Sequence, residues 1–130
     1  MILGALALFG AGALAGCASS PAQVAQMQFS PSPPSFDQAK VAAAFKYLLK
    51  DPESARYEIG LPYRAYLKEP LIRGGGLAWS GWAVDVGVNA KNSFGGYTGF
   101  HSYHALSDAG GNALVVETVD TDGILFFRAN

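Results

Sequence analysis

The chain has 130 residues, a single cysteine, and nine basic against ten acidic side chains, for a formal net charge of −1. Charges this evenly scattered leave no basic footprint for nucleic acid and no polybasic patch for anionic lipid. The length admits one domain: past a leading segment roughly 95 residues remain, enough to bury somewhat over 60% of their unfolded surface, and one cysteine allows no internal disulfide to support them.

Residues 1–17 are all apolar or glycine until the stretch closes on Leu14-Ala15-Gly16-Cys17, and Ser19, Ser20 and Pro21 then end it. The uncharged run from Met1 to Ala18 is at the lower edge of the length that crosses a hydrocarbon core of about 30 Å. Leu14-Ala15-Gly16-Cys17 resembles the lipobox of bacterial lipoproteins. The resemblance implies a signal peptide over residues 1–16, cleavage before Cys17, and acylation of that residue. The charged n-region of such signals is missing, since Met1 runs directly into Ile2-Leu3, so the expectation is that residues carrying Lys or Arg precede this start. An uncleaved anchor or another export signal is the alternative. Two or more acyl chains hold a protein stably at a membrane where one does not. Ala18 rather than Asp after the cysteine resembles the class sorted to the outer membrane, which faces the protein to the periplasm.

Residues 18–35 carry four prolines and no charge, which reads as a semi-extended tether and leaves residues 36–130 as the domain. Ser35 and Gln38 have capping-box spacing, and Val41, Ala44, Phe45 and Leu48 follow at the spacing of one apolar helical face. That helix should stop at Asp51, ahead of Pro52. Short strands are expected at Tyr57–Ile59 and Tyr63–Leu67, separated by Gly60-Leu61-Pro62. A longer one over Leu77–Asn89 alternates Trp82, Val84, Val86 and Val88 against Gly81, Ala83, Asp85, Gly87 and Asn89. The first set reads as core; the second faces water or lets another backbone approach. Phe94–Leu106, Ala113–Val119 and Ile124–Arg128 complete the strand-like segments. The expected architecture is α+β, an N-terminal helix packed on a four- to five-stranded antiparallel meander.

The segment Asn89-Ala90-Lys91-Asn92-Ser93-Phe94-Gly95-Gly96-Tyr97-Thr98-Gly99-Phe100, with Leu49-Lys50-Asp51-Pro52-Glu53-Ser54-Ala55-Arg56 and Gly81-Trp82-Ala83-Val84, resembles an uncharacterised family of small bacterial and phage proteins with a "vNAKNsyGGYtG" core. That family brings no activity with it. Read from its residues, the segment closes a tight connection, because Asn and Gly tolerate positive φ and Asn89, Asn92 and Ser93 are able to cap backbone groups. Read as a recognition loop, it offers Lys91 as a cationic contact, Asn89, Asn92 and Ser93 as polar contacts, and Tyr97 as a flat platform.

Other chemistry is poorly supported. His101 and His104 are three apart on a strand and point to opposite faces, so no paired metal ligands are expected. Asp120-Thr121-Asp122-Gly123 echoes the start of a calcium loop without its later ligands and reads as a turn. Asp85 is an acid without a placed base or nucleophile, with Arg56 or Lys91 as its expected partner. Trp79 either joins an exposed aromatic patch with Tyr63 and Tyr66 or fills a second cluster. No cofactor is expected. The function these features imply is a non-catalytic envelope lipoprotein that binds an envelope protein or the cell wall. The alternatives are an inhibitor or exclusion factor and, last, a small hydrolase.

Overall fold

Alternating apolar residues build the longest strand, and the rest of the molecule is arranged around it. The structure, a computed structural model, describes residues 18–116 and 123–129; Cys17 with its lipobox and Asp120-Thr121-Asp122 lie outside them. Two helices, α1 (Pro21–Ala25) and α2 (Gln38–Phe45), precede six strands: β1 (Asp51–Ile59), β2 (Tyr63–Lys68), β3 (Leu77–Lys91), β4 (His101–Ser107), β5 (Ala113–Val116) and β6 (Leu125–Arg128). All pairings are antiparallel, in one sheet of order β5-β4-β3-β2-β6, with β1 also on β3. A mixed class is thus present, dominated by sheet.

Three expectations are corrected. Among the described residues the sheet has six strands rather than four or five, because all six of the expected strand-like segments join it, β6 included. It is not a plain meander: after β5 the chain returns to the far side of the sheet, where β6 pairs with β2 from Ala65↔Arg128 to Lys68↔Leu125. The segment expected as one strand from Phe94 becomes strand only at His101, since Gly95 (φ +83°) and Gly99 (φ +98°) hold backbone conformations that break a ladder.

β1 and β2 lie end to end against the same edge of β3, β2 opposite residues 77–83 and β1 opposite 86–91. Gly60, between them, donates its N–H to Asp85 O at 2.9 Å and so keeps the ladder continuous. Pro52 is tolerated because β1 is an edge strand near its first residue. Ser54 fills the register shift behind it, its Oγ accepting from Lys91 N at 2.9 Å.

The helix is capped by Asp37, whose Oδ1 accepts from Lys40 N at 2.9 Å, rather than by Ser35. It ends at Phe45, which leaves Leu48 exposed instead of on the buried stripe. Val41 and Phe45 share one buried cluster with Val84, Val86, Val88 and Ala105. Trp82, expected among those valines, is only half buried at the margin, its Nε1 donating to Ser30 O at 3.0 Å.

The small-residue face of β3 does not simply face water. Phe126 of β6 stacks on His104 of β4 with centroids 3.8 Å apart and planes 7° from parallel. A flat sheet, with strands about 4.8 Å apart, would hold those two strands roughly 14 Å apart, so the sheet curls strongly around this face. Inside the curl Ala65, Ala83 and Leu106 form a second core that Tyr63, Leu67, Trp79 and Phe126 complete. Trp79 therefore takes the cluster role. Its indole lies over Gly81, where a Cβ would come within 2.6 Å of Cζ2.

The stretch expected as a spacer is folded onto the sheet. Ser20 and Gln23 form a capping box that starts α1. Ser19 N donates to Tyr66 Oη at 3.0 Å, and the Arg64 guanidinium sits 5.3 Å from the Phe29 ring centroid.

Candidate functional site

The glycine- and asparagine-rich connection between β3 and β4 holds itself together. Asn92 Oδ1 accepts from Phe94 N at 2.9 Å and from Gly96 N at 3.1 Å, while Asn92 N and O bond Gly96 O and Gly95 N. Tyr97 donates its hydroxyl to Ser54 O at 2.8 Å, and Lys91 and Tyr97 pair as an isolated bridge. Arg56 and Lys91 both lie over the Tyr97 ring, at 4.4 and 5.7 Å from its centroid, so neither serves Asp85 as expected. Asn89 Oδ1 accepts from Gly99 N at 3.1 Å, and Ser93 is exposed in the turn. Of the five residues expected to bind, four are thus committed to the loop's own architecture, while Phe94 at its tip is left 96% exposed.

The polar centre that sequence reasoning missed is built on Asp85. Its partners come from three other strands: Tyr63 of β2 donates to Oδ1 at 2.5 Å, His104 Nδ1 lies 3.0 Å from the same oxygen, and Arg128 Nη2 of β6 lies 3.4 Å from Oδ2. The Arg128 guanidinium also covers the Tyr63 ring at 3.7 Å. Burial pushes the Asp85 carboxyl up, but the hydrogen bonds from Tyr63 and His104 and the charges of His104 and Arg128 outweigh it and hold the group below its ordinary 3.8. Burial, then the bond to Asp85, pushes the Tyr63 phenol well up, so it keeps its proton and acts as a donor.

A carboxyl depressed on folding stabilises the fold above its unfolded value, and that stability is lost as pH falls through the folded one. Acid titration of thermal stability is therefore expected to show a larger loss below about pH 4 for the native chain than for Asp85→Asn. Parallel curves for the two proteins would contradict this. The Asp85 side chain is 57% exposed, so the difference is modest.

Beside this cluster the same face opens into a groove of ≈ 480 Å³ lined by Glu58, Asp85, Gly87, Phe100, Ser102 and His104. Gly87 is its floor: a Cβ there would lie 3.3 Å from Phe100 Cδ1 and 3.6 Å from Glu58 Oε2. The bare backbone lets the Phe100 ring lie down on the strand while staying 48% exposed. Asn89 matters here indirectly, because its bond to Gly99 N fixes the turn that delivers Phe100. His101 points away from His104 and meets Thr98 Oγ1 at 3.1 Å. Among the described residues no three His, Cys, Asp or Glu side chains converge as a metal would require.

The chain matches no protein-family model, no curated protein and no solved structure. The functional reading therefore rests on the geometry of the groove and on the residues that line it.

Proposed function

We propose that this is an envelope lipoprotein, acylated at Cys17 and held at the outer membrane facing the periplasm, whose α+β domain binds the glycan of the cell wall without transforming it. In this reading α2 is the helix that covers the valine face of the sheet, as the shared burial of Val41 and Phe45 with Val84, Val86 and Val88 supports. The observation that carries the binding reading is the half-exposed Phe100 ring laid on Gly87 between the Glu58 carboxylate and the Asp85–His104 pair. A sugar ring has an apolar C–H face, which suits an aromatic platform, and a rim of hydroxyls, which suits carboxylate acceptors and arginine or imidazole donors.

The reading of binding without turnover is supported by how Asp85 is used. Both of its oxygens are engaged and its proton is held off, so the group fixes Tyr63, His104 and Arg128 in place rather than passing a proton. The proposal shifts the contact residues from the 89–97 segment to the groove that segment supports.

The test is co-sedimentation of the detergent-solubilised full chain with isolated peptidoglycan. Phe100→Ala is expected to weaken retention about tenfold, equivalent to about 1.4 kcal/mol, and Glu58→Gln to weaken it less. Lys91→Ala, whose side chain lies over Tyr97 and does not line the groove, should leave it unchanged. Native protein that stays in the supernatant, or retention indifferent to Phe100, would overturn the glycan reading.

A further inference from the structure

The course of the chain over the sheet says which end of the domain an N-terminal anchor occupies. Ser19 is bonded to Tyr66, which pairs with Ser80; Phe29 and Ser30 meet Arg64 and Trp82, which pair with each other. Val41 and Phe45 then cover Val84 to Val88, and β1 begins at Asp51 opposite Lys91. Measured along β3, the chain climbs from position 80 to position 91. Its N-terminal end thus belongs to the end of the sheet where β2 turns into β3, and the 92–100 connection to the opposite end.

At the near end the β2–β3 turn presents Leu71 (63% exposed) and Ile72 (93% exposed), with Leu77 half exposed beside them. They are not loose. Arg73 N and Gly75 N donate to Pro70 O at 2.8 and 3.1 Å, Gly74 N donates to Leu71 O at 2.9 Å, and Glu69 N donates to Gly76 O at 2.8 Å. Left-handed Gly74 (φ +100°) and Gly75 (φ +67°) close the turn. A fixed backbone therefore holds two large aliphatic side chains out in water, flanked by Arg73, which is paired with Glu69 at 3.0 Å. Covalent reach puts this tip within range of an anchor: Cys17 is two residues from Ser19, at most about 7 Å, and Leu71 is five residues along from Tyr66, about 17 Å of extended chain.

We propose that the Pro70–Leu77 tip is a second membrane contact, with Leu71 and Ile72 entering the boundary between headgroups and acyl chains beside the lipid on Cys17. This rests on the lipoprotein reading. One lipid anchor leaves a domain free to swivel; a second apolar contact fixes its tilt, and the 92–100 connection with Phe94 then points away from the bilayer. The partner is the bilayer surface, and the contact depth is that of an interfacial segment, about 5–10 Å.

The experiment uses the full chain expressed in a Gram-negative host, with acylation verified by intact mass and the protein reconstituted into phosphatidylethanolamine–phosphatidylglycerol vesicles. Since an acylated Cys17 thiol does not react, an environment-sensitive fluorophore goes only to Ile72→Cys or, as the far-end comparison, Phe94→Cys. Lipids spin-labelled on the acyl chain should quench the label at 72 at least fivefold more than the label at 94, with a blue shift at 72 alone. Equal quenching at both positions in vesicle-bound protein would overturn the tip contact while leaving the anchor standing. A blue shift at 72 without lipid quenching, lost on dilution of the protein, would assign the tip to a second copy of the chain and also overturn it. A chain that carries no acyl groups fails before labelling and takes down the lipoprotein reading itself.

Discussion

Replacing Phe45 with Ala is expected to remove about 3–5 kcal/mol of stability, the cost of deleting a fully buried aromatic and leaving a cavity behind. Phe45 is completely buried, stands edge-on to Tyr103 with centroids 5.1 Å apart, and is tilted against Tyr57 at 5.7 Å. α2 has only eight residues, too few to persist on propensity, so in the proposed packing Phe45 and Val41 are its main ties to the valine face. Since domains of this size hold about 5–15 kcal/mol in total, the variant should melt at a much lower temperature, by roughly 4–8 °C for each kcal/mol. Tyr57→Phe in the same cluster should go the other way or do nothing, because the Tyr57 hydroxyl is buried with no hydrogen-bond partner among the described residues and its removal relieves an unmet desolvation cost. Denaturant melts of both variants check this. A Phe45→Ala loss under 1 kcal/mol would mean that the helix does not brace the sheet.

In the proposed lipoprotein, Cys17→Ala is expected to abolish acylation and the cleavage before residue 17, the largest effect of any single change outside the fold. Intact mass of the membrane fraction should show native protein cut before Cys17 and carrying acyl chains, and a variant that is unprocessed and carries none. With a net charge of −1 and no basic cluster, electrostatics offers no substitute for the lipid, and the tip at Leu71 and Ile72 is too small to hold the domain alone. An unprocessed mass in both proteins would overturn the lipobox and leave residues 1–17 as an uncleaved anchor.

The alternation along Leu77–Asn89 was legible because a half-buried strand imposes a period of two on its side chains, and the apolar stripe at Val41 and Phe45 because a helix imposes 3.6. β6 was harder: four residues carry almost no periodicity, and its place beside β2 depends on a return across the whole sheet. The Asp85 cluster was invisible for a related reason. Tyr63, His104 and Arg128 lie far from Asp85 in sequence and meet it only because the sheet curls. The strand parities held part of the signal, since residues 63, 85, 104 and 128 all fall on the small-residue face once the pairing is known. The docked N-terminal stretch had its own sign in Ser20 and Gln23, whose capping-box spacing was masked by the prolines around it. Within the 89–100 segment the asparagines were rightly suspected of capping, while Phe94 and Phe100, ordinary core-like residues in sequence, proved to be exposed.

The placement of β6 has a consequence for timing. Residues 125–128 cover the outer edge of residues 65–68, so during synthesis the edge of β2 stays unpaired until residues 125–128 have emerged. Contacts that span some sixty residues form slowly because the loop must close before the pairing rewards it. Through that interval the chain presents a half-finished sheet with an open edge, the form most prone to pairing with another chain. Pairing of β6 with β2 is therefore the step that ends this exposure, and deleting Leu125–Arg128 would prolong an aggregation-prone intermediate indefinitely.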